Sequence, residues 1–550
     1  MNSTPFIQVI IPLKLEWEPY YELSGASVGD RVDLVFARRH YVGVVSAVNV
    51  VPEAGLKVLS AVESDLPPIG AEEIDFWRRL AAYYLCTVGE VYKVAYPMRQ
   101  IESEKVTSRR TRKEDAPVPE EAELSLTPDQ ETAVGAILGA FKEGKTVLLE
   151  AGSESTEVYL ELARRTLAQG KNVLCLVPEV TLSRQLEARF RAAVPGLLRF
   201  DGSRTIAARR DVADAVRSGS PYAVLGTRSA LFLPHRNLGL VIVHEEQDSS
   251  YKQDSPAPRL HAREASILLS MVQGCPVLLS SRTPSLESLY NVERGIFKSV
   301  SLKWNFEEEP LIVNISAEAR KNGMKGSFSL KLLQAVQETL SRGERVLLVS
   351  RFKAAQEEDL AELRGFFPDA PERLLVPSTP ASAKTLRDKS FGLVAVHQAD
   401  TLLGKEDFRS DERTLQILQQ LQTLAPRLVV QTRVPAHPVF EALRQRRNGL
   451  FFLEERKAAL YPPITRMVDV CLTDTSPKRL SYMASLLSRA VGPCLGPLAP
   501  AGREDVRILR ITLPRDKYLK GRKQQIFAAV SAFEKEHKYV GHIHLDVDPL

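Results

Sequence analysis

The stretch TVLLEAGSESTEVYLELARRTLAQGKNVLCLV, residues 146–177, has the pattern of a strand, a helix and a second strand. Two apolar segments, Thr146–Glu150 and Val173–Val177, enclose a segment at 156–169 whose apolar residues have helical spacing. Apolar strands that alternate with amphipathic helices are typical of a parallel sheet covered on both faces. The stretch therefore predicts an α/β fold.

The same alternation extends in both directions along the chain and predicts two α/β lobes. The first lobe is expected to contain helices at 128–143 and 181–193, and strands at Tyr222–Leu225, Leu240–His244 and Pro276–Ser280. The second lobe is shorter. It is expected to contain helices at 329–341, 354–367 and 411–424, and strands at Arg345–Val349, Leu393–Val396 and Leu428–Gln431.

Composition and pattern divide the chain into five segments. Residues 1–98 are predicted to form a small β-rich domain, with strands at Phe6–Pro12, Arg31–Phe36 and Tyr41–Val48 and a helix at Glu72–Leu85. Residues 99–123 join a basic cluster to a Pro- and Glu-rich run and are predicted to be an exposed linker. Residues 124–300 and 301–453 are assigned to the two lobes, and residues 454–550 to an α+β C-terminal domain.

Bulk properties narrow the class of protein. The 550 residues carry a net charge of +5, which gives weak support for a nucleic-acid partner. No apolar run reaches the roughly 18 residues of a membrane span, so we predict a soluble, cytoplasmic protein without a membrane partner. The five cysteines are widely spaced and form no CxxC pair, which argues for reduced thiols and against a zinc site of four cysteines.

The loop after the first strand of lobe 1 lies where a phosphate-binding loop would be. Such a loop needs glycines that let backbone amides surround the phosphates, a lysine for the terminal phosphates, and a Ser or Thr for magnesium. Gly152, Ser153 and Thr156 fit this pattern, but Glu154 and Ser155 stand at the positions of the last glycine and the lysine. Taken alone, the segment is better interpreted as an ordinary turn between a strand and a helix.

Several longer motifs follow in order at predicted strand ends. They are LTPDQETAV (126–134), LVPEVTLSRQLEARF (176–190), VLGTRSALFLPHRNLGLVIVHEEQDSSYKQ (224–253), LLSSRTPSLESL (278–289) and DFRSDERTLQIL (407–418). With the tail segments EERKAALYPP and HLDVDPL, they resemble superfamily 2 helicases, and within them the PriA family of replication-restart helicases. The resemblance runs from end to end. It implies two RecA-like lobes, a first domain that binds the 3′ end of DNA, and a family-specific C-terminal domain.

The resemblance assigns residues to a nucleotide site and also shows what that site has lost. His244 stands where the family has the aspartate that orders magnesium, Glu245 keeps the place of the carboxylate that polarises water, and Gln247 replaces a histidine. Arg282 stands where a small residue is usual, and QQLQTLAPRL replaces the arginine-finger segment. The nucleotide-site positions are Gln130, Gly152, Ser153, Ser155, Thr156, His244 and Glu246.

Phosphoryl transfer depends on positioning and on neutralisation of charge, so these losses predict no ATP hydrolysis and leave Glu245 vestigial. We expect no cofactor, and ATP with magnesium only if the site is functional. The family's zinc module and winged helix are also missing from the sequence, so no zinc or other metal is expected.

The resemblance also assigns residues to DNA contact. Thr227, Arg228 and Ser229 lie at strand-contact positions, and the loop 248–263 supplies one aromatic ring and three cations: Tyr251, Lys252, Arg259 and Arg263. The alternative is that these side chains hold lobe 1 together.

The first domain keeps one family position and departs at others. Lys57 matches a family lysine. Pro19, Tyr20 and Tyr21 replace the residues of the family's 3′-end pocket, and Ala37 replaces a glycine. Tyr20 or Trp17 remain candidates for stacking on a base.

The preferred hypothesis is a PriA-like protein of replication restart that binds branched or single-stranded DNA, or primosome and replication-restart proteins, without hydrolysing ATP. One alternative is an active ATP-dependent 3′–5′ DNA helicase. The other is a protein-interaction scaffold that does not bind DNA.

Overall fold

The computed structural model describes residues 5–53, 55–56, 58–103, 124–151, 155–179, 184–194, 196–219, 221–302, 308–350, 352–383, 386, 390–404, 407–500, 502–537 and 541–549. Within these ranges, no helix combines the length and the apolar composition needed to cross a membrane. Lys57, Gly152 and Ser153, which the sequence assigned to sites, lie outside the described residues, as does most of the predicted linker.

The N-terminal region is a six-stranded sheet followed by two helices. Its elements are β1 (Phe6–Ile10), β2 (Tyr20–Glu22), β3 (Arg31–Phe36), β4 (Arg39–Val48), β5 (Leu59–Ser60), β6 (Val62–Glu63), α1 (Ala71–Tyr84) and α2 (Val88–Ser103). The strand order is β5-β2-β1-β4-β3-β6, and every pair is antiparallel except β2 with β5. The predicted β-rich start of the chain is therefore confirmed.

The first lobe has a seven-stranded, wholly parallel sheet in the order β13-β7-β12-β11-β8-β10-β9. Its elements are α3 (Pro128–Lys142), β7 (Thr146–Glu150), α4 (Ser155–Ala168), β8 (Asn172–Leu176), α5 (Arg184–Ala193), β9 (Leu197–Phe200), α6 (Ile206–Arg217), β10 (Ala223–Gly226), β11 (Leu238–His244), α7 (Ala262–Gln273), β12 (Val277–Ser281), α8 (Leu286–Glu293) and β13 (Phe297–Ser301). Two apolar clusters cover its faces, as the continuous apolar strands predicted.

The second lobe has a five-stranded parallel sheet in the order β14-β20-β19-β17-β18. Its elements are β14 (Leu311–Asn314), α9 (Ile315–Arg320), β15 (Met324–Lys325), β16 (Phe328–Ser329), α10 (Leu330–Ser341), β17 (Val346–Val349), α11 (Lys353–Phe366), β18 (Leu375–Ser378), α12 (Pro380–Ala383), β19 (Leu393–Val396), α13 (Ser410–Gln422), β20 (Arg427–Thr432), α14 (Pro438–Arg444) and α15 (Leu453–Ala459). The two parallel sheets confirm the predicted α/β class.

The C-terminal region is an antiparallel sheet in the order β22-β23-β21-β24, with two helices. Its elements are β21 (Thr465–Thr473), α16 (Pro477–Val491), β22 (Leu495–Leu498), β23 (Val506–Pro514), α17 (Leu519–His537) and β24 (His542–Val547). A single apolar cluster contains Leu80 of α1, Leu174 of β8 and Leu472 of β21. The two ends of the chain therefore pack on the first lobe.

Four strands escaped the sequence analysis: β9, β13, β14 and β18. All four are outermost strands of their sheets, and all four are at least half polar or only partly buried. An edge strand is buried less completely than a central one, so its apolar pattern is weaker. Lobe sheets are therefore wider than the sequence predicted.

The turn between β3 and β4 has only two residues, Ala37 and Arg38, because Phe36 pairs with Arg39. Both have positive φ, 47° and 64°. Two-residue hairpin turns of this type favour glycine or asparagine, since a Cβ in the left-handed region costs about 1–2 kcal/mol. The family resemblance implies a glycine at position 37, and a glycine there would relieve this strain.

We predict that Ala37→Gly raises the free energy of unfolding by about 1 kcal/mol, because glycine tolerates positive φ. Urea unfolding followed by tryptophan fluorescence measures this, since Trp17 and Trp77 both lie in the first domain. Ala82→Gly, at an exposed position within α1, is the matched control and should lower stability by about 1 kcal/mol. A loss of stability in Ala37→Gly would contradict the strain argument.

The side chain of His235 is buried inside lobe 1, where its imidazole is neutral. Its Nε2 lies 2.8 Å from the carbonyl oxygen of Ala230, and its Nδ1 lies 3.2 Å from the hydroxyl of Tyr222. Burial lowers the pKa of His235 to about 4, against the opposing effect of the Ala230 carbonyl. Burial likewise lowers the pKa of His261 to about 3 and of His544 to about 4.

The unfolded chain therefore takes up protons at a higher pH than the folded one. For His235, the stabilisation is complete above about pH 6.5 and is lost as the pH falls towards 4, by at most about 3 kcal/mol. We predict that His235→Gln makes the unfolding midpoint less dependent on pH between 6.5 and 4, while His40→Gln, at an exposed position, does not. An unchanged pH dependence in His235→Gln would show that folding does not lower the pKa of this histidine.

Candidate functional site

The carboxyl ends of the central lobe 1 strands bring the candidate nucleotide residues to one edge of the sheet. His244 at the end of β11 pairs with Ser280 of β12, and Ser281 pairs with Glu150 at the end of β7. Because the strands are parallel, the loop after β7 and the acidic segment after β11 open on the same side. The sequence placed both segments at strand ends correctly.

A tyrosine that the sequence analysis gave no role organises this edge. Tyr159 lies on α4, one turn after Ser155, and is fully buried. Its hydroxyl is 3.0 Å from Nδ1 of His244, and the two rings meet edge to face with centroids 5.6 Å apart. Burial raises the pKa of Tyr159, and hydrogen bonds with Ser155 and Ser280 oppose that rise. The phenol of Tyr159 therefore binds one imidazole and two serine hydroxyls here.

Three other predicted nucleotide-site residues are buried inside lobe 1. Ser155 and Thr156 are both buried at the start of α4. Gln130 is buried at the start of α3, where its amide oxygen accepts a 2.8 Å hydrogen bond from the backbone of Thr127. That bond is half of a capping box with the Thr127 hydroxyl, so Gln130 stabilises the helix N-terminus.

The carboxylate of Glu245 faces lobe 2. The residue is buried with a positive φ of 53°. Its Oε2 accepts hydrogen bonds from Gln247 at 2.8 Å and from Gln420 of α13 at 3.3 Å. The position that would polarise water thus contributes to the contact between the two lobes.

Glu246 is completely buried and serves lobe 1 itself. It accepts hydrogen bonds from the backbone and hydroxyl of Ser285 at 2.7 and 2.9 Å, and pairs with Arg263 at 2.8 Å. Burial disfavours the charged form of Arg263. The carboxylates of Glu264 and Glu246 nevertheless hold the pKa of Arg263 well above its ordinary value. Within the described ranges, no group of three or more His, Cys, Asp or Glu could hold a metal ion. The absence of zinc stays a prediction.

The loop at 248–263, predicted to touch DNA, turns its ring and two of its cations into the protein. Tyr251 is 1% exposed and donates a 2.7 Å hydrogen bond to the backbone of His244. The ammonium of Lys252 lies 2.6 Å from Asp546 and donates to the carbonyl of Val547 at 2.8 Å. With Arg263 bound to Glu246, these side chains hold lobe 1 and β24 together in this conformation.

Three of the other four predicted DNA contacts of lobe 1, Arg228, Ser229 and Arg259, lie nearer the surface. Thr227 is buried, Ser229 is exposed, and Arg259 is partly exposed at 3.9 Å from Asp546. Arg228 starts a short 3₁₀ helix and donates to the carbonyls of Ser250 and Lys252 at 3.0 and 2.8 Å. Arg228 thus braces the loop.

The first domain offers a more accessible aromatic surface. Trp17 is 55% exposed, with its ring 6.3 Å from that of Phe36. Tyr20 is partly exposed, whereas Tyr21 is buried and donates to the backbone of Val35 at 2.9 Å. Of the predicted stacking residues, Trp17 is therefore the one most open to a base.

A spacing signal could have identified Tyr159 from the sequence. Residues four apart on a helix lie on the same face, so Tyr159 had to lie beside Ser155, at the lysine position of the phosphate loop. What the sequence could not give was the distance to His244, which depends on how β11 and α4 pack.

Comparisons with known proteins support the resemblance that the motifs indicated. Residues 8–97 match the family model of the PriA 3′ DNA-binding domain. The replication restart protein PriA of Rickettsia felis is 26% identical, with 90% of this chain and 92% of that protein aligned. The Bacillus subtilis protein of that name is 26% identical over 68% of this chain and 61% of its own length. That of Haemophilus influenzae is 36% identical, over 42% of this chain and 31% of its own.

Among solved structures, the DNA-bound DUF1998 helicase MrfA has a TM-score of 0.41 at 14% identity, covering 72% of this chain and 58% of that one. RecG bound to a three-way DNA junction has a TM-score of 0.39 at 15% identity, covering 60% of this chain and 46% of that one. Likeness at this level carries no conclusion about function. The sequence matches, by contrast, confirm that the chain is similar to the PriA replication restart proteins along nearly its whole length, with their 3′ DNA-binding domain at residues 8–97.

Proposed function

We propose that this chain binds branched or single-stranded DNA as a PriA-like protein of replication restart, and that its nucleotide site does not hydrolyse ATP. The absence of ATP hydrolysis is inferred from one observation, the cluster of Ser155, Tyr159, His244 and Ser280. The proposed DNA binding rests on the match of residues 8–97 to a 3′ DNA-binding domain and on the exposed ring of Trp17.

The described residues at the sheet edge do not fit a magnesium–nucleotide complex. Magnesium takes oxygen ligands, but the position of its aspartate is His244, whose Nδ1 is engaged by Tyr159. The position of the phosphate-binding lysine is Ser155, which is 2% exposed and hydrogen-bonded to the same phenol. Hydrolysis needs the magnesium ion and the lysine side chain to neutralise the charge that develops on the phosphoryl group. The retained carboxylate of Glu245 cannot replace either of them.

The contact between the lobes supports the same conclusion. Arg409, just before α13, pairs with Glu287 of α8 at 2.6 Å, and both side chains are largely buried. Glu412 accepts a 2.9 Å hydrogen bond from the backbone of Leu286 and pairs with Arg456 at 3.2 Å. The two arginines at this contact are thus paired with carboxylates of the protein itself.

For DNA, the exposed surface of the first domain is a better candidate than the loop at 248–263. Trp17 offers a ring for base stacking, which contributes about 1–3 kcal/mol per base. Arg38 and Arg39 are exposed at the turn beyond β3 and lie in the same sheet as Phe36, whose ring faces Trp17. The side chains of Tyr251 and Lys252 would have to leave buried partners before they could bind DNA.

We predict that the purified protein has no DNA-stimulated ATPase activity above background, measured by phosphate release with a forked DNA. ATP with magnesium should not raise its melting temperature, because a ligand stabilises only the fold that binds it. Glu245→Gln is the control and should leave the background unchanged. DNA-dependent turnover that Glu245→Gln abolishes would establish the alternative, an active helicase.

We predict that Trp17→Ala weakens binding of a labelled single strand by roughly 5- to 150-fold, the loss of one stacked base. The dependence of affinity on salt should stay the same, because no phosphate contact is removed. Fluorescence anisotropy at several salt concentrations measures both. Val51→Ala, an exposed apolar position in the same domain, is the matched control and should bind as the parent does.

Two outcomes would contradict the DNA proposal. If the parent fails to bind single-stranded or forked DNA at low salt, the interaction-scaffold alternative is favoured. If the parent binds and Trp17→Ala binds equally well, the first domain is not the stacking surface.

A further inference from the structure

The segment RDKYLKGRK, residues 515–523, leads from β23 into α17 and carries five cationic side chains and one carboxylate. The carboxylate, Asp516, pairs with Arg522 at 2.7 Å. Lys517 and Lys520 are exposed, and neither forms an ion pair with another residue that the structure describes. The segment therefore presents uncompensated positive charge on the C-terminal domain.

An aromatic ring stands among these cations. Tyr518 is 60% exposed. The ammonium of Lys517 lies 5.1 Å from its ring centroid, and the guanidinium of Arg522 lies 5.9 Å from it. Its backbone N–H donates to Asp516 at 2.9 Å, which fixes the start of the turn. The structure thus holds an exposed ring beside cations, at spacings that suit cation–π attraction.

The positive charge continues towards lobe 1. Arg515 donates to the carbonyl of Pro463 at 2.9 Å. Burial first, and then the charges of Arg466 and Arg294, lower the pKa of Arg515. Arg294 is exposed at the C-terminal end of α8, the helix that begins in the TPSLES segment. Arg294 of lobe 1 and Arg515 of the segment therefore lie close enough for their charges to interact.

We propose that Lys517, Tyr518 and Lys520 form a second contact for single-stranded DNA, separate from the first domain. This inference rests on the proposed DNA-binding function and adds a surface to it. The lysines would neutralise backbone phosphates while a base stacks on Tyr518, a combination that single-strand-binding surfaces use without sequence preference. An acidic peptide would use the lysines but would gain little from the ring, so the exposed tyrosine favours a nucleic acid.

The test compares full-length variants by anisotropy with a labelled oligothymidylate across a range of salt. The double variant Lys517→Glu/Lys520→Glu should flatten the plot of log K against log salt by about 1.4, since each phosphate contact on a single strand contributes about 0.7. Tyr518→Ala should weaken binding roughly 5- to 150-fold with the same slope, and Tyr518→Trp should restore it. The matched control is Lys321→Glu/Lys325→Glu, the same charge change at exposed positions of lobe 2.

Each remaining outcome overturns the inference. If the control double variant flattens the slope equally, net charge and not this surface governs binding. If the Lys517/Lys520 variant loses binding to polyglutamate but not to oligothymidylate, the surface binds acidic proteins. If Trp17→Ala weakens binding while the variants at 517–520 bind as the parent, only this inference fails; a parent that binds no DNA removes the proposed function as well.

Discussion

The buried ammonium of Lys252 is the constraint on which the arrangement of the chain depends. Its side chain is 3% exposed and lies 2.6 Å from a carboxylate oxygen of Asp546. Removing an unpaired ammonium from water costs several kcal/mol, so the loop must meet the last strand for this lysine to be buried. Burial raises the pKa of Asp546 despite the opposing charge of Lys252. The pair therefore joins the C-terminal sheet to lobe 1.

The loop that carries Lys252 also contacts the first domain and the start of α8. The hydroxyl of Tyr84 in α1 accepts a 2.9 Å hydrogen bond from the backbone of His261, which brings in the first domain. Arg263 binds Glu246, and Glu246 binds Ser285 at the start of α8. Side chains with the chemistry of DNA contact are therefore used to assemble the protein, because a buried cation must have a partner near it.

The nucleotide edge follows the same physical rule. Polar groups at the ends of parallel strands must be hydrogen-bonded if they are buried, whether to a ligand or to the protein. Here the phenol of Tyr159 and the imidazole of His244 bind each other, with serine hydroxyls beside them. The buried polar groups at this edge of the sheet are therefore hydrogen-bonded within the protein.

The sequence by itself determined the α/β class, the places of the central strands along the chain and the positions of the motifs at their ends. Apolar runs, helical spacing and linear motifs are local properties that the chain carries without folding. It did not reveal the edge strands, whose pattern is diluted by exposure, or the side on which Tyr251, Lys252 and Arg263 lie. Only the tertiary structure decided that these three are buried. Tyr251 and Arg263 are buried against His244 and Glu246 when lobe 1 packs. Lys252 meets its partners, up to 296 positions away in sequence, only when the last strand packs on lobe 1.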